Sequence, residues 1–332
     1  MAEYQGVAVF VEYKGDALLP ISLEGLGAGR KLADDLGQSL SAVLVGSGIG
    51  GLAPQAVASG ADTVYVVDDP LLKDMPADAC VMAMENVVKQ VKPSVLIMGQ
   101  TDTGRDLAPR LAFRLGTVVT MDCVELAIDP ESKRLLQTKP VYGGNALAVF
   151  VSETDPQIVT IRTKAMTALE PDSSRKGEIK NIDAGLDASA IKTRVLDRVV
   201  EEVAGIKIDD AGTVVAGGRG IGSAEGFEQL EELAKLFKGA VGASRPPCDN
   251  GWIPDTVQVG LTGKIIAPEL YIAVAISGSS QHMSGCSGAK TIVAINKDKE
   301  ANIFRHARFG VVGDWKKVLP AFTAKVKELL AS

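Results

Sequence analysis

The sequence predicts an α/β protein of two domains, and three observations carry this reading. Short β-branched runs alternate with helical patterns as far as Gly116. The rhythm then breaks into a hairpin pattern and a polar stretch. It restarts at "GTVVAGGRGIG", residues 212–222, and continues to the end of the chain. Strand–helix alternation implies a largely parallel sheet covered by helices.

The elements follow in order. "GVAVFVEY" is a strand. "SLEGLGAGRKLADDLG" is a helix, with Ser22 as N-cap and Gly37 as its stop. Strands "SAVLVG" and "TVYVVD" come next, then helix "PADACVMAMENVVKQV", strand "SVLIMGQ" and helix "GRDLAPRLAFRLG". "LLQTKPVYGGNALAVFVSE" reads as a hairpin turning at Gly143-Gly144-Asn145, and "QIVTIRTKAM" as another strand. Residues 167–190 are polar and read as a surface connection; "IKTRVLDRVVEEV" after them suits a strand returning to the first domain. In the second half, "SAEGFEQLEELAKLF" is a helix capped by Ser223, with Phe227, Leu230, Leu233, Leu236 and Phe237 on one face. Strands "GAVGAS", "LYIAVAIS" and "TIVAIN" follow. A final helix, "DWKKVLPAFTAKVKELL", is expected to bend at Pro320, which lacks an N–H. The boundary is placed near Ile206, giving domains 1–205 and 206–332.

Composition narrows the function classes. Of 332 residues, 46% are hydrophobic and 23% charged, normal for a globular chain with a full core, and the net charge is −6. An acidic chain without a Lys/Arg run argues against nucleic acid. Cys80, Cys123, Cys248 and Cys286 stand far apart without a C-x-x-C, which argues against a structural zinc or a cysteine-held cluster and for a reducing compartment. No metal site is expected. "MAEYQGVAVFVEY" has neither a basic n-region nor an Arg-rich amphipathic pattern, and no apolar run approaches a membrane span; a cytoplasmic protein without membrane insertion is expected.

Two glycine-rich strand ends compete as nucleotide sites. Gly46, Gly48 and Gly51 spell G-x-G-x-x-G, with Asp68 seventeen residues past Gly51. Such a loop brings backbone N–H groups to a pyrophosphate, and such an acid holds a ribose hydroxyl. The helix after it, "LAPQAVASG", is barely two turns and contains Pro54, so a plain structural turn is the alternative. The second loop, Gly217–Gly222, includes Arg219; N–H groups with a guanidinium suit a phosphate better than glycines alone.

The stretch from Gly242 to Asp314 decides between them. "GASRPPCDNGW", "QVGLTGKIIAPELYIAVAISGSSQHMSG", "TIVAINKD" and "FGVVGD" resemble, in order and spacing, the FAD-binding domain of the electron-transfer flavoprotein α-subunit family, and the likeness extends loosely over the whole chain. The chain departs from the family's usual residue at Leu261 (Gln), Ala275 (Gly), Ser280 (a large aliphatic) and Arg308 (an acid). The resemblance implies a doubly wound, Rossmann-like second domain that binds one FAD, and a first domain that holds no nucleotide and pairs with a β subunit. It implies AMP or a second FAD in that subunit. It also implies electron transfer from a flavin dehydrogenase, such as an acyl-CoA dehydrogenase, to a quinone oxidoreductase or ferredoxin.

Residue by residue, the resemblance places Ser244 at the nucleotide part, Arg245 over the flavin ring, Thr262 at N5 and His282 at the N1/C2-carbonyl edge. Asn296, Asp314 and the adjoining Trp315 fall at the ribose and adenine end. The same cofactor set takes in Arg219, the turn Gln258, Val259, Gly260 and Leu261, and the run Ser277, Gly278, Ser279, Ser280 and Gln281. The chemistry is consistent: reduction makes the N1/C2 edge negative, and cations and fixed donors stabilise charge as it develops. No catalytic base or nucleophile is assigned, as a carrier needs none. His306 reads as a surface residue. A bifurcating NADH-dependent complex is an alternative mode. A soluble NAD-dependent dehydrogenase using Gly46–Gly51 and Asp68 is the rival of another class.

Overall fold

The computed structural model describes residues 4–144, 146–197 and 206–331. The chain divides into two compact units, Met1–Pro140 with Leu147–Val199, and Val141–Ala146 with Val200–Ser332. The boundary placed at 205/206 falls at the edge of residues 198–205, outside the described residues. Among the described residues no helix is long and apolar enough to cross a membrane.

The first unit opens with β1 (Val7–Val11), the small pair β2 (Tyr13–Lys14) and β3 (Ala17–Leu18), α1 (Pro20–Leu36) and β4 (Leu40–Gly46). It continues through α2 (Ala53–Ala58), β5 (Thr63–Asp68), α3 (Ala77–Val91), β6 (Val95–Gly99) and α4 (Asp102–Leu115). Then come β7 (Val119–Cys123), β8 (Glu125–Ile128), β9 (Leu135–Val141), β10 (Ala146–Phe150), β11 (Gln157–Ile161) and β12 (Glu178–Asn181). Seven strands form one parallel sheet in the order β12-β5-β4-β1-β6-β11-β7. β1 lies inside it and is buried throughout. Its alternate residues serve opposite faces: Val7, Val9 and Val11 pack with α1, while Ala8 and Phe10 pack with α3 and α4. β10, β9 and β8 form a smaller sheet, as the hairpin pattern implied; Leu147, Val149 and Phe150 stay exposed on its β10 edge.

Three expectations in this unit fail. Ser22 is no N-cap. The helix starts at Pro20, whose fixed φ suits the first turn, with Leu19 preceding it. The Ser22 hydroxyl instead donates to the Glu12 carbonyl at 2.9 Å and accepts from the Glu12 N–H at 2.7 Å, tying α1 to the end of β1. The polar stretch 167–190 is not merely a connection, because β12 within it pairs with β5 from Glu178↔Thr63 to Asn181↔Val66. The strand expected at 191–203 is absent over 191–197, and its remainder lies outside the described residues.

The second unit contains β13 (Thr213–Gly217), α5 (Glu225–Leu236), β14 (Ala240–Ala243) and α6 (Arg245–Asp249). These lead to β15 (Leu270–Val274), α7 (Ser280–Cys286), β16 (Thr291–Asn296), α8 (Ile303–His306), β17 (Phe309–Val312) and α9 (Trp315–Ala331). Ser223 is not the cap of α5; Ala224 holds that position, and Ser223 bonds the Glu225 carboxylate. α9 runs through Pro320. The sheet order is β14-β13-β15-β16-β17, all parallel. In chain order this is 2-1-3-4-5, a doubly wound arrangement whose strand order reverses between β13 and β15. Phe227, Leu230 and Leu233 of α5 and Leu319 of α9 share one core face; Met283 and Cys286 of α7 and Ile303 of α8 share the other. Register brings Gly217, Ala243 and Val274 level, and Asn296 beside Val312, at one edge. A crevice outside those strand ends is where such sheets hold ligands.

Ala275, directly after β15, has φ +55°. A left-handed backbone costs an L-residue about 1–2 kcal/mol, part of which glycine returns as unfolded-state entropy. Ala275→Gly is expected to stabilise this unit by about 0.5–1 kcal/mol, read as a higher urea midpoint; an unchanged or lower midpoint refutes the account.

Candidate functional site

Six short segments meet at the C-terminal edge of the second sheet. The first is the Gly217–Gly222 loop. The Gly218 N–H donates to the Val274 carbonyl at 2.9 Å. A Cβ on Gly218 would lie 2.1 Å from the Ala275 carbonyl oxygen, so only glycine lets this loop pass the end of β15. Trp315, buried at the start of α9, donates its Nε1–H to the Gly220 carbonyl at 3.0 Å and pins the loop. Arg219 is exposed beside it.

The second segment is Ser244–Arg245. The Ser244 N–H donates to the Gly217 carbonyl, and its hydroxyl makes no capping bond to α6. The Arg245 guanidinium is 65% exposed and pairs with Asp249 one turn on at 3.2 Å.

The third is the turn 258–264. The Val259 N–H bonds the Ala243 carbonyl, and the Leu261 N–H bonds the Gln281 carbonyl, both at 2.8 Å. Gly260 has φ +150°. Gln258 Nε2 donates to Thr262 Oγ1 at 3.0 Å, orienting an otherwise exposed hydroxyl. Leu261 is exposed.

The fourth segment runs from Ser277 into α7. Gly278 has φ +78°, and a Cβ there would meet the Ile303 backbone nitrogen at 2.3 Å. The Ser277 carbonyl accepts from the Ile303 N–H. Ser277, Ser279 and Gln281 are exposed, and Ser280 is half-buried. His282 is only 4% exposed. Its Nδ1 lies 3.0 Å from the Val259 carbonyl and its Nε2 2.8 Å from the Tyr271 hydroxyl, so both nitrogens are engaged within the protein. Burial pushes the imidazole from 6.5 down to about 4, against the pull of the Val259 bond.

The last two segments carry Asn296 and Asp314. Asn296 Nδ2 donates to the Ile276 carbonyl at 2.8 Å, while its Oδ1 accepts from the Asp298 N–H. The Asp314 carboxylate accepts from the Lys316 N–H at the start of α9.

The cofactor residues expected in the second unit thus lie on segments that meet at one rim, but they divide by how their polar groups are used. The Ser244 and Thr262 hydroxyls, the cations Arg219 and Arg245, and the exposed serines Ser277 and Ser279 are donors of the kind a phosphate or flavin edge needs. Gln258, His282, Asn296 and Trp315 spend theirs holding the rim together. Gly218, Gly260 and Gly278 let these segments pack backbone to backbone, and the donor set they present fits a dinucleotide laid across the strand ends. Sequence reasoning missed Tyr271, whose only signal was an aromatic in a strand.

The imidazole has a pH consequence. An unfolded His282 protonates below about 6.5, whereas the folded ring resists until about 4. Stability is therefore complete above the unfolded value and falls as pH drops through that window, by about 3 kcal/mol. Urea unfolding of wild type and His282→Asn between pH 7 and pH 4 is expected to show a shallower slope in the variant; parallel slopes refute it.

The first glycine loop is closed. The Gly48 N–H donates to Asp68 Oδ1 at 2.7 Å and the Ile49 N–H to Asp68 Oδ2 at 3.1 Å. The acid that suits a ribose instead takes the N–H groups that suit a pyrophosphate. A Cβ on Gly46 would lie 2.0 Å from the Tyr13 hydroxyl, so that glycine serves a packing contact. Gly48 has φ +72°, as a tight turn requires.

Comparison with known proteins gives the family. The Electron transfer flavoprotein domain matches residues 7–187, and the Electron transfer flavoprotein FAD-binding domain matches residues 207–287. The chain is 42% identical over 330 residues to the electron transfer flavoprotein subunit alpha of Thermoanaerobacterium thermosaccharolyticum, covering 99% of this chain and 100% of that protein. It is 40% identical to Protein FixB of Clostridium saccharobutylicum, covering 100% and 99%, and 40% identical to the electron transfer flavoprotein subunit alpha of Megasphaera elsdenii, covering 99% and 98%. A solved thiamin diphosphate-dependent enzyme from Mycobacterium smegmatis aligns with 91% of this chain and 53% of its own, at a TM-score of 0.22 and 13% identity, too low to carry an argument. With both halves matched and the relatives covered end to end, the chain belongs to the electron transfer flavoprotein alpha-subunit family.

Proposed function

We propose that the second unit holds one FAD across its strand ends and that the chain works as the α subunit of a heterodimeric electron carrier. The observation that supports this is the rim itself: Ser244, Arg245, Thr262, Arg219, Ser277 and Ser279 on loops that meet outside the strand ends, within the region matched by the FAD-binding domain. A bound flavin supplies the uptake and release of one or two electrons. The protein's part is to orient and to stabilise. Arg219 and the serines at 277 and 279 suit the phosphates, Ser244 the nucleotide part, and Thr262, aimed by Gln258, the ring edge. Arg245 supplies positive charge where reduction places negative charge. His282 supplies none, because its ring is neutral and committed to Val259 and Tyr271. Asn296 and Asp314 shape the ribose and adenine end.

Residues 1–205 serve as a scaffold domain that pairs with a β subunit, which carries AMP or a second FAD. The exposed Leu147, Val149 and Phe150 edge offers apolar surface for such pairing. Electrons pass from a flavin dehydrogenase, such as an acyl-CoA dehydrogenase, to a quinone oxidoreductase or ferredoxin, in a cytoplasmic setting. The closed Asp68 loop disfavours the dehydrogenase that would use Gly46–Gly51. The test is to co-express the chain with its β subunit, count flavin and AMP per complex, and add NADH. One flavin with AMP and no reduction by NADH supports the plain carrier. Two flavins reduced by NADH support the bifurcating mode. A colourless complex refutes both.

A further inference from the structure

Tyr271 is the second residue of β15 and is fully buried, and its hydroxyl lies 2.8 Å from His282 Nε2. On the other side of the ring, Nδ1 lies 3.0 Å from the Val259 carbonyl. A carbonyl only accepts, so Nδ1 carries the proton. A neutral imidazole has one such proton, which makes Nε2 an acceptor and the Tyr271 hydroxyl its donor. Cys286, one turn along α7, donates its thiol to the His282 main-chain carbonyl at 3.6 Å, and its sulfur also lies in hydrogen-bond contact with the Tyr271 hydroxyl.

The Val259 carbonyl that receives this proton belongs to the turn carrying Gln258 and Thr262. That turn and the residues just after it are fastened to α7 at two further points, Leu261 N–H to the Gln281 carbonyl and Ile266 N–H to the Gly285 carbonyl. His282 is the side-chain fastener between them. The geometry points to Tyr271 as a positioning residue for the flavin edge: by donating to His282 Nε2 it fixes the imidazole proton toward Val259 and so holds the turn on which Thr262 is presented. This rests on the FAD reading above. Nothing in the sequence marks Tyr271 for such a role, since it reads as an ordinary apolar strand residue.

Without the hydroxyl, Nε2 is a buried acceptor without a donor, a costly state that the ring escapes by changing tautomer or turning away from Val259. Tyr271→Phe keeps the ring volume and removes only the donor. The experiment uses the full chain co-expressed with its β subunit, labelled with 15N-histidine. The chain has only two histidines, His282 and His306. Signals lost in His282→Asn identify the first. Long-range 1H–15N spectra then report which nitrogen carries the proton, and loss of flavin absorbance on gel filtration reports the rate of FAD release. In wild type, His282 is expected as the single tautomer with its proton on Nδ1. In Tyr271→Phe that signature is expected to be lost and FAD release to quicken about tenfold. A wild-type proton on Nε2 overturns the inference. So does a variant in which either the tautomer or the release rate stays as in wild type, since faster release with an unaltered imidazole is only a packing effect. Wild-type complex that carries no flavin overturns the FAD reading itself. Flavin-bound complex with an unaltered imidazole overturns this inference alone.

Discussion

Gly285→Ala is expected to empty the flavin site. Gly285 faces the 258–264 turn so closely that a Cβ would stand 2.3 Å from the Gly260 nitrogen, 2.6 Å from the Gly260 Cα and 2.9 Å from the Lys264 oxygen. All three are backbone atoms, so no flexible side chain can give way. α7 and the turn must move apart, breaking the Leu261 and Ile266 N–H bonds that join them. Overpacking alone costs about 1–3 kcal/mol, and each lost hydrogen bond adds about 1 kcal/mol. Displacing Thr262 and Val259 together is expected to lower flavin occupancy at least tenfold in the purified complex, with a lower melting temperature. Gly50→Ala is the control: nothing lies within 4 Å of its Cβ, and it is expected to be silent. Full occupancy with wild-type melting in Gly285→Ala rejects the close packing described here.

Arg245→Ala is expected to make the first electron harder to add. Uptake of an electron without a proton creates an anion, and a guanidinium over the ring, as proposed for Arg245, would favour it. At an effective dielectric near 20, unit charges about 5 Å apart interact by roughly 3 kcal/mol. Two features reduce this: the side chain is 65% exposed, and Asp249 sits 3.2 Å away. About 1–2 kcal/mol is left, and since a tenfold change in a one-electron equilibrium is about 59 mV, the potential is expected to fall by roughly 45–90 mV. Arg245→Lys is expected to recover part of the shift, returning charge without the planar stacking group. Asp249→Asn is expected to move the potential the other way. Spectroelectrochemical titration at one pH reads all three. An unchanged potential in Arg245→Ala at full flavin content removes Arg245 from the ring.

The strands were legible because their burial follows their pattern: β1, β4, β6 and β15 are short β-branched runs and are nearly all buried. β12 was not, because Glu178–Asn181 is exposed at every position and carries no buried apolar pattern, joining the sheet edge by parallel pairing with β5. Ser22 misled because a hydroxyl near a helix start has two uses, and here the end of β1 claimed it. At the site, loops announced themselves by glycine and by order along the chain. Ala275 was legible as a departure from the family's usual glycine, and its positive φ shows what that glycine is for. The division of labour within the rim was not legible. Which polar residues face a ligand and which brace the backbone depends on partners far apart in sequence, such as Trp315 with Gly220 or Asn296 with Ile276. Local pattern holds no record of those pairings.

The bond from Trp315 to Gly220 also bears on the order of events during synthesis. The loop it braces is made early in the second unit, but the brace arrives with the last helix, 95 residues later. A nascent chain halted before Trp315 is expected to retain no flavin, and one released after α9 to load it; retention by the halted chain rejects this. Cofactor capture is then expected only once α9 has been made, with that helix as the latch for the loop it braces.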